Sequence, residues 1–244
     1  VEEQGAVLTR ARERGVTAML NISTRESEWN DVVGTAEREG DVWASIGIHP
    51  HEADAHPDVD LAKLVERARH PRVIGIGESG LDYYYDHSDR DRQKASFTTH
   101  IHAARETQLP LIVHTRDAEE DTLDIMGREM EAGEYPALIH CFTASEAFAR
   151  AALAMGCYIS ISGIVTFKNA LDLQEAVKII PAERLLIETD SPFLAPVPNR
   201  GKTCEPAFVA DTAAFLADLR GEDVGVLKER TAANFYRLFT KARP

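Results

Sequence analysis

Four short apolar runs in this chain each end in a side chain that can hold a metal ion. Ile74-Gly75-Ile76-Gly77 runs into Glu78, Leu111-Ile112-Val113 into His114, Ala137-Leu138-Ile139 into His140, and Leu185-Leu186-Ile187 into Glu188-Thr189-Asp190. Buried parallel strands read as near-continuous apolar runs of this length. In an α/β barrel the carboxyl ends of the strands converge on one face, where active sites are built. Such a fold would aim Glu78, His114, His140 and Asp190 at a common point, which makes a metal-dependent hydrolase the first expectation.

The same strand-and-helix rhythm covers the whole chain. Strands are expected over Val16–Ile22, Val42–Ile48, Val73–Glu78, Pro110–His114, Ala137–Cys141, Tyr158–Ser162 and Leu185–Thr189. Helical patterns lie between them, among them Val59–Arg69, Asp89–Thr107 with Ser88 to Asp91 resembling a capping box, Glu146–Met155 with Ser145 as N-cap, and Asn169–Ile180 stopped by Pro181. Two more, Pro206–Leu219 and Asp223–Phe239, are separated by Gly221. No linker or low-complexity stretch interrupts them, so residues 1–244 read as a single domain. Repeated alternation implies a parallel sheet with helices outside it. The expected fold is α/β, a (β/α)8 TIM barrel. Because the chain opens on a helix around Val7–Arg14 and shows seven strand candidates, the barrel's first strand is expected to be missing from the N-terminus. The alternative is an open, doubly wound sheet, which needs a reversal of strand order.

Each candidate ligand has a plainer reading beside the functional one. The charge on Glu78, between Gly77 and Ser79-Gly80, needs a partner that a metal or an arginine such as Arg116 could supply. A single strand-end histidine is usually just hydrogen-bonded, but His114 and His140 on successive strands could approach one cation. Asp190 could bind metal and take the proton of an attacking water, or simply form the turn before Pro192. Glu188, two residues back on the same pleat face, could support the site from behind. In His49-Pro50-His51, His49 is expected to face the site and contact substrate or water, while His51 holds the loop; His100 and His102 cannot share a helix face and are set aside.

Composition narrows the partners. A net charge of −13 argues against gripping duplex DNA by bulk electrostatics, although one phosphate could still be held at a metal. No run approaches the roughly 18 apolar residues of a membrane span, so no membrane partner is expected. Cys141, Cys157 and Cys204 form no zinc or redox motif, and a reducing, cytoplasmic compartment is the default.

With these residues in view, the chain resembles the TatD-type metal-dependent deoxyribonucleases, a branch of the amidohydrolase-like barrel hydrolases. The matching stretches are Gly47–His51, Gly77–Tyr83, Val113–Ala118, Ile139–Thr143, Glu188–Leu194, Arg200–Lys202 with Glu205-Pro206, and Thr231–Phe235. They occur in family order and span nearly the whole chain. The resemblance implies two divalent ions (Mg, Mn or Zn) bridged by Glu78, with His114 and His140 on one and Asp190 on the other, Asp190 serving as base and His49 lying in the active site. It implies cleavage of DNA phosphodiesters, with a single-stranded oligonucleotide as substrate and exonuclease action expected, and a monomer is a reasonable state. Arg116 and Lys202 could form a positive rim with Lys168 and Arg200, and Tyr83, Tyr84 or Phe142 could stack on a base. Two features depart from the family: no first-strand His-x-His pair is present, and Thr203-Cys204 stands where Arg-Asn is common. The competing expectations are an amidohydrolase-type barrel acting on amides, esters or phosphotriesters, and a metal-binding barrel without turnover.

Overall fold

The structure is a computed structural model that describes residues 2–243. Its seven strands are β1 (Met19–Asn21), β2 (Val42–Ile46), β3 (Val73–Asp82), β4 (Leu111–Arg116), β5 (Ala137–Ile139), β6 (Tyr158–Ile161) and β7 (Leu185–Ile187). All neighbours are parallel and the order in the sheet is the order in the chain. A doubly wound sheet reverses its strand order at a switch point, so that alternative is excluded.

Helix α1 (Glu2–Glu13) precedes β1, and α2 (Trp29–Arg38), α3 (Leu61–Ala68), α4 (Arg90–Thr107), α5 (Glu119–Ala132), α6 (Glu146–Ala154) and α7 (Leu171–Lys178) each cross from one strand to the next. Helices α8 (Val209–Arg220) and α9 (Val224–Leu238) follow β7. The sheet curls on itself as a barrel does. Thr17 and Ala18 before β1 share a cleft of about 120 Å³ with Leu186 and Ile187 of β7, roofed by Ala213 of α8 and Phe235 of α9. The eighth strand of the expected barrel is not among the described residues.

The period-2 alternation of the strands sorts their side chains. Ala44, Ile46, Val113, Ile139, Ile159 and Ile161 point outward into the large core shared with the helices. Trp43, Ile74, Leu138, Tyr158 and Leu186 join a second cluster with Leu238, Phe239 and Ala242 from the chain's end. That cluster plugs the barrel interior. Two residues beyond Ile112, Leu138 and Leu186 on the same face come His114, His140 and Glu188, at the other end of the interior.

Local chemistry sets the element ends. Ser145 caps α6 by accepting from the Phe148 N–H at 3.1 Å. The N-cap of α4 is Asp89, which accepts from the backbone N–H groups of Asp91 and Arg92 at 3.0 and 3.2 Å, rather than the expected Ser88. Ser88 Oγ is committed elsewhere, donating to His51 O at 2.7 Å and accepting from Asp54 N at 3.1 Å. Strand β3 runs four residues past the expected Glu78, and its register against β4 shifts between Ile76 and Ser79. Gly80 permits the close pairing there. Its φ is +150°, and a Cβ would sit 1.9 Å from His114 O.

Candidate metal centre

The strands deliver one buried carboxylate among three imidazoles. Glu78 Oε1 lies 2.9 Å from His114 Nδ1, 3.5 Å from His49 Nε2 and 3.6 Å from His140 Nε2. Asp190 Oδ1 lies 3.7 Å from His140 Nε2. Two groups follow, His49 with Glu78 and His114, and His140 with Glu188 and Asp190, each with donor atoms within 4.8 Å of one another. Arg116 is not the partner of Glu78; histidines surround it instead.

Each imidazole's free nitrogen is decided by what holds the other. His140 Nδ1 is 3.0 Å from Glu188 Oε2, an oxygen that also accepts from the Cys141 N–H at 3.2 Å. With Nδ1 committed to Glu188, Nε2 is the nitrogen facing Glu78 and Asp190, where a metal ion would displace its proton. His114 repeats the arrangement: Nε2 is 3.2 Å from Asp82 Oδ2, leaving Nδ1 toward Glu78. His49 is the reverse. Its Nδ1 accepts from the His51 N–H at 3.1 Å, so its Nε2 carries the proton and is a donor.

The electrostatics follow from burial set against pairing. Burial works to raise Glu78, but His140, His114 and His49 hold it well below the usual carboxylate range. Burial lowers His140, yet Glu188 and Glu78 together raise it to about 10. His49 is pushed down to about 3, chiefly by burial, and is neutral at pH 7. Asp190 is raised to about 6, again chiefly by burial and against the pull of His140. Glu188 Oε1 is buried without a hydrogen-bond partner. Imidazole nitrogens interleaved with carboxylates, one oxygen of them orphaned, suit Zn, Mn or Mg.

Beyond the centre, Asp82 knots the mouth of the barrel. Its Oδ2 meets His51 Nε2 at 2.8 Å and His114 Nε2, while its Oδ1 accepts from the Tyr84 and Tyr85 N–H groups at 3.1 and 3.0 Å. Fully buried Gln93 braces this turn, accepting from Asp82 N at 2.8 Å and donating to Asp82 O and Ser88 O. Fully buried His100 accepts the Ile48 N–H at Nε2 over 3.1 Å, next to His49, and its Nδ1 faces Ser96 O at 2.7 Å. Sequence reasoning passed over Gln93 and set His100 aside. The available signal was their place on the apolar stripe of α4 with Phe97, Ile101 and Ala104, where a polar side chain must have a partner.

The expected substrate contacts divide. Arg116 is exposed at the mouth, stacked 4.0 Å from the Tyr84 ring centroid. Tyr83 is half-buried, with its hydroxyl donating to Asp121 at 2.5 Å and Arg90 against its ring. Phe142 is buried against Phe148 and cannot meet a ligand. Lys202 is exposed and donates to Asn199 at 3.0 Å, on the segment after Asp190. Lys168 is exposed, and Arg200 stacks 3.7 Å from the Phe167 ring centroid.

A parallel barrel that gathers imidazoles and carboxylates at the carboxyl ends of its strands defines a metal-dependent hydrolase of the α/β-barrel class. Comparison with known proteins agrees. The family model for TatD related DNase matches residues 1–240, and the chain belongs to that family. It is 45% identical over 237 residues to the uncharacterized metal-dependent hydrolase YcfH of Escherichia coli K12, covering 96% of this chain and 87% of that protein. It is 35% identical to the 3'-5' ssDNA/RNA exonuclease TatD of Erwinia tasmaniensis, over 98% of this chain and 94% of that one. Among solved structures, the TatD homologue YJJV of Escherichia coli superposes with a TM-score of 0.91 at 27% identity, over 98% of this chain and 92% of that one. Among the described residues, no helix is long and apolar enough to cross a membrane.

Proposed function

We propose that this hydrolase cuts phosphodiester bonds of single-stranded DNA, removing nucleotides from a strand end with the help of two divalent ions. The observation that carries the reading is Glu78 Oε1, a single buried carboxylate oxygen facing three imidazoles beside Asp190. The relative named as an ssDNA/RNA exonuclease points to the same substrate class. His114 Nδ1, His140 Nε2, Glu78 and Asp190 would hold the ions. Bound there, divalent ions would lower the pKa of a water and offset charge on the phosphate.

The chain's own groups do the rest. Asp190, next to His140 at the edge of the cluster, accepts the proton of the attacking water. The water oxygen bonds to phosphorus as the bond from phosphorus to the departing sugar oxygen breaks; that oxygen keeps the bonding pair and takes a proton from Asp190 or from solvent. His49 Nε2–H donates toward a phosphate oxygen, a role its tautomer fits better than that of a ligand. Glu188 and Asp82 fix the ring orientation of His140 and His114.

The test is metal-dependent release of nucleotides from a single-stranded oligonucleotide, run beside lactones and dipeptides. Asp190→Asn should lower the rate by at least about 10²-fold with an unchanged circular dichroism spectrum, in line with the usual worth of a positioned base. Full activity in that variant removes Asp190 from the chemistry. Turnover of a lactone or dipeptide in place of the oligonucleotide moves the enzyme to another branch of barrel hydrolases.

A further inference from the structure

The turn after β3 exposes two tyrosine side chains where a folded chain would ordinarily hide them. Tyr84 is 57% exposed and Tyr85 48% exposed. Their ring centroids lie 4.8 Å apart at 89°. Arg116, at the end of β4, lays its guanidinium 4.0 Å from the Tyr84 centroid and 4.7 Å from that of Tyr85. On the other side Tyr85 is parallel to His87, at 6° and 5.4 Å. Among the described residues Arg116 has no carboxylate partner and no side-chain hydrogen bond, in a chain of net charge −13 that could readily supply one. Its N–H donors are free while its flat face is occupied.

This ledge is joined to the metal centre through one side chain. Asp82 takes the Tyr84 and Tyr85 amides on one oxygen and His51 and His114 on the other. Arg116 is two residues along β4 from His114 and pairs in register with Asp82. The ledge is therefore built at a set position beside the reacting centre. An open tyrosine face offers stacking to any base, and a free guanidinium offers paired N–H donors to a phosphate.

We infer that Tyr84 and Arg116, backed by Tyr85 and His87, form a subsite for the nucleotide next to the scissile phosphate, with its unpaired base stacked on Tyr84 and its own phosphate held by Arg116. The inference rests on the phosphodiesterase reading above and adds what selects the substrate. A base within a duplex has no free face to offer, so the subsite favours single strands. Tyr83, the tyrosine nearest the strand, is taken up by Asp121 and Arg90 and has no part in it.

The experiment compares a short thymidine oligomer with methyl 4-nitrophenyl phosphate, a phosphodiester without a base. Tyr84→Ala should raise KM for the oligomer about tenfold with little change in kcat, the usual scale for one lost stacking contact. The ratio of oligomer to small-diester kcat/KM should fall by the same factor, and Tyr84→Phe should restore it. Arg116→Met should raise the oligomer KM and flatten its dependence on salt, because one phosphate contact is gone. A proportional fall on both substrates would mean that Tyr84 acts only through the shape of the metal centre, and would overturn the subsite. Unchanged oligomer kinetics would overturn it as well. If the wild type cleaves neither substrate, the phosphodiesterase reading fails, and the subsite is then judged by fluorescence anisotropy of the labelled oligomer. Binding weakened by Tyr84→Ala supports it, and equal binding rejects it.

Discussion

His100 offers a quantitative check on how the loop carrying His49 is held. The ring is fully buried on α4, with Nε2 accepting the Ile48 N–H at 3.1 Å. Burial lowers its pKa from 6.5 to about 4, with a smaller push from His56. The folded pKa lies below the unfolded one, so the unfolded chain takes up a proton that the folded chain refuses. Stability is then lost as pH falls from 6.5 toward 4 and levels off below. By linkage the loss between pH 7.5 and pH 4 is about 3 kcal/mol. His100→Leu removes this component but leaves the buried Ile48 N–H without an acceptor, at a cost of about 1–3 kcal/mol. The variant should therefore be the less stable protein at pH 7.5, and should equal or exceed the wild type at pH 4. His100→Gln keeps an acceptor for Ile48 and should lose less at pH 7.5 while showing the same flattened pH response. Urea denaturation of the three proteins at both pH values reads these differences directly, and acid effects elsewhere cancel because the other groups are shared. A stability gap between wild type and His100→Leu that stays constant with pH would refute a neutral, buried His100.

Further expectations follow from the same geometry. Glu188→Gln keeps the shape of the group behind His140 but removes its charge, and should weaken divalent-metal binding by about 10–100-fold, measured by competition with a chelator; unchanged affinity would detach Glu188 from the centre. Gly80→Ala forces a Cβ to 1.9 Å from His114 O at a φ of +150°. It should cost more than about 4 kcal/mol and yield little folded protein, whereas a normal melting temperature would show that β3 and β4 can part there.

The strand ends were legible because a parallel barrel writes them as apolar runs of fixed length, and a polar residue closing such a run has few places to go. Glu78, His114, His140 and Asp190 stand out for that reason, and the structure places them in two neighbouring groups, Glu78 with His114 and His140 with Asp190. What lay past the strand ends was harder to read. Three successive tyrosines carry no periodicity, and which of them faces water is decided by Asp82 turning the chain through two amide hydrogen bonds. The histidines posed the opposite problem. For His100, a helix pattern shows which side is buried but not which distant loop amide meets it there. The same limit hid the difference between His49 and His140. Both turn Nε2 toward Glu78, yet behind the ring one Nδ1 accepts a backbone N–H and the other meets a carboxylate. Residue type names the atoms available for chemistry; the neighbour behind each ring decides whether it arrives as a ligand or as a donor.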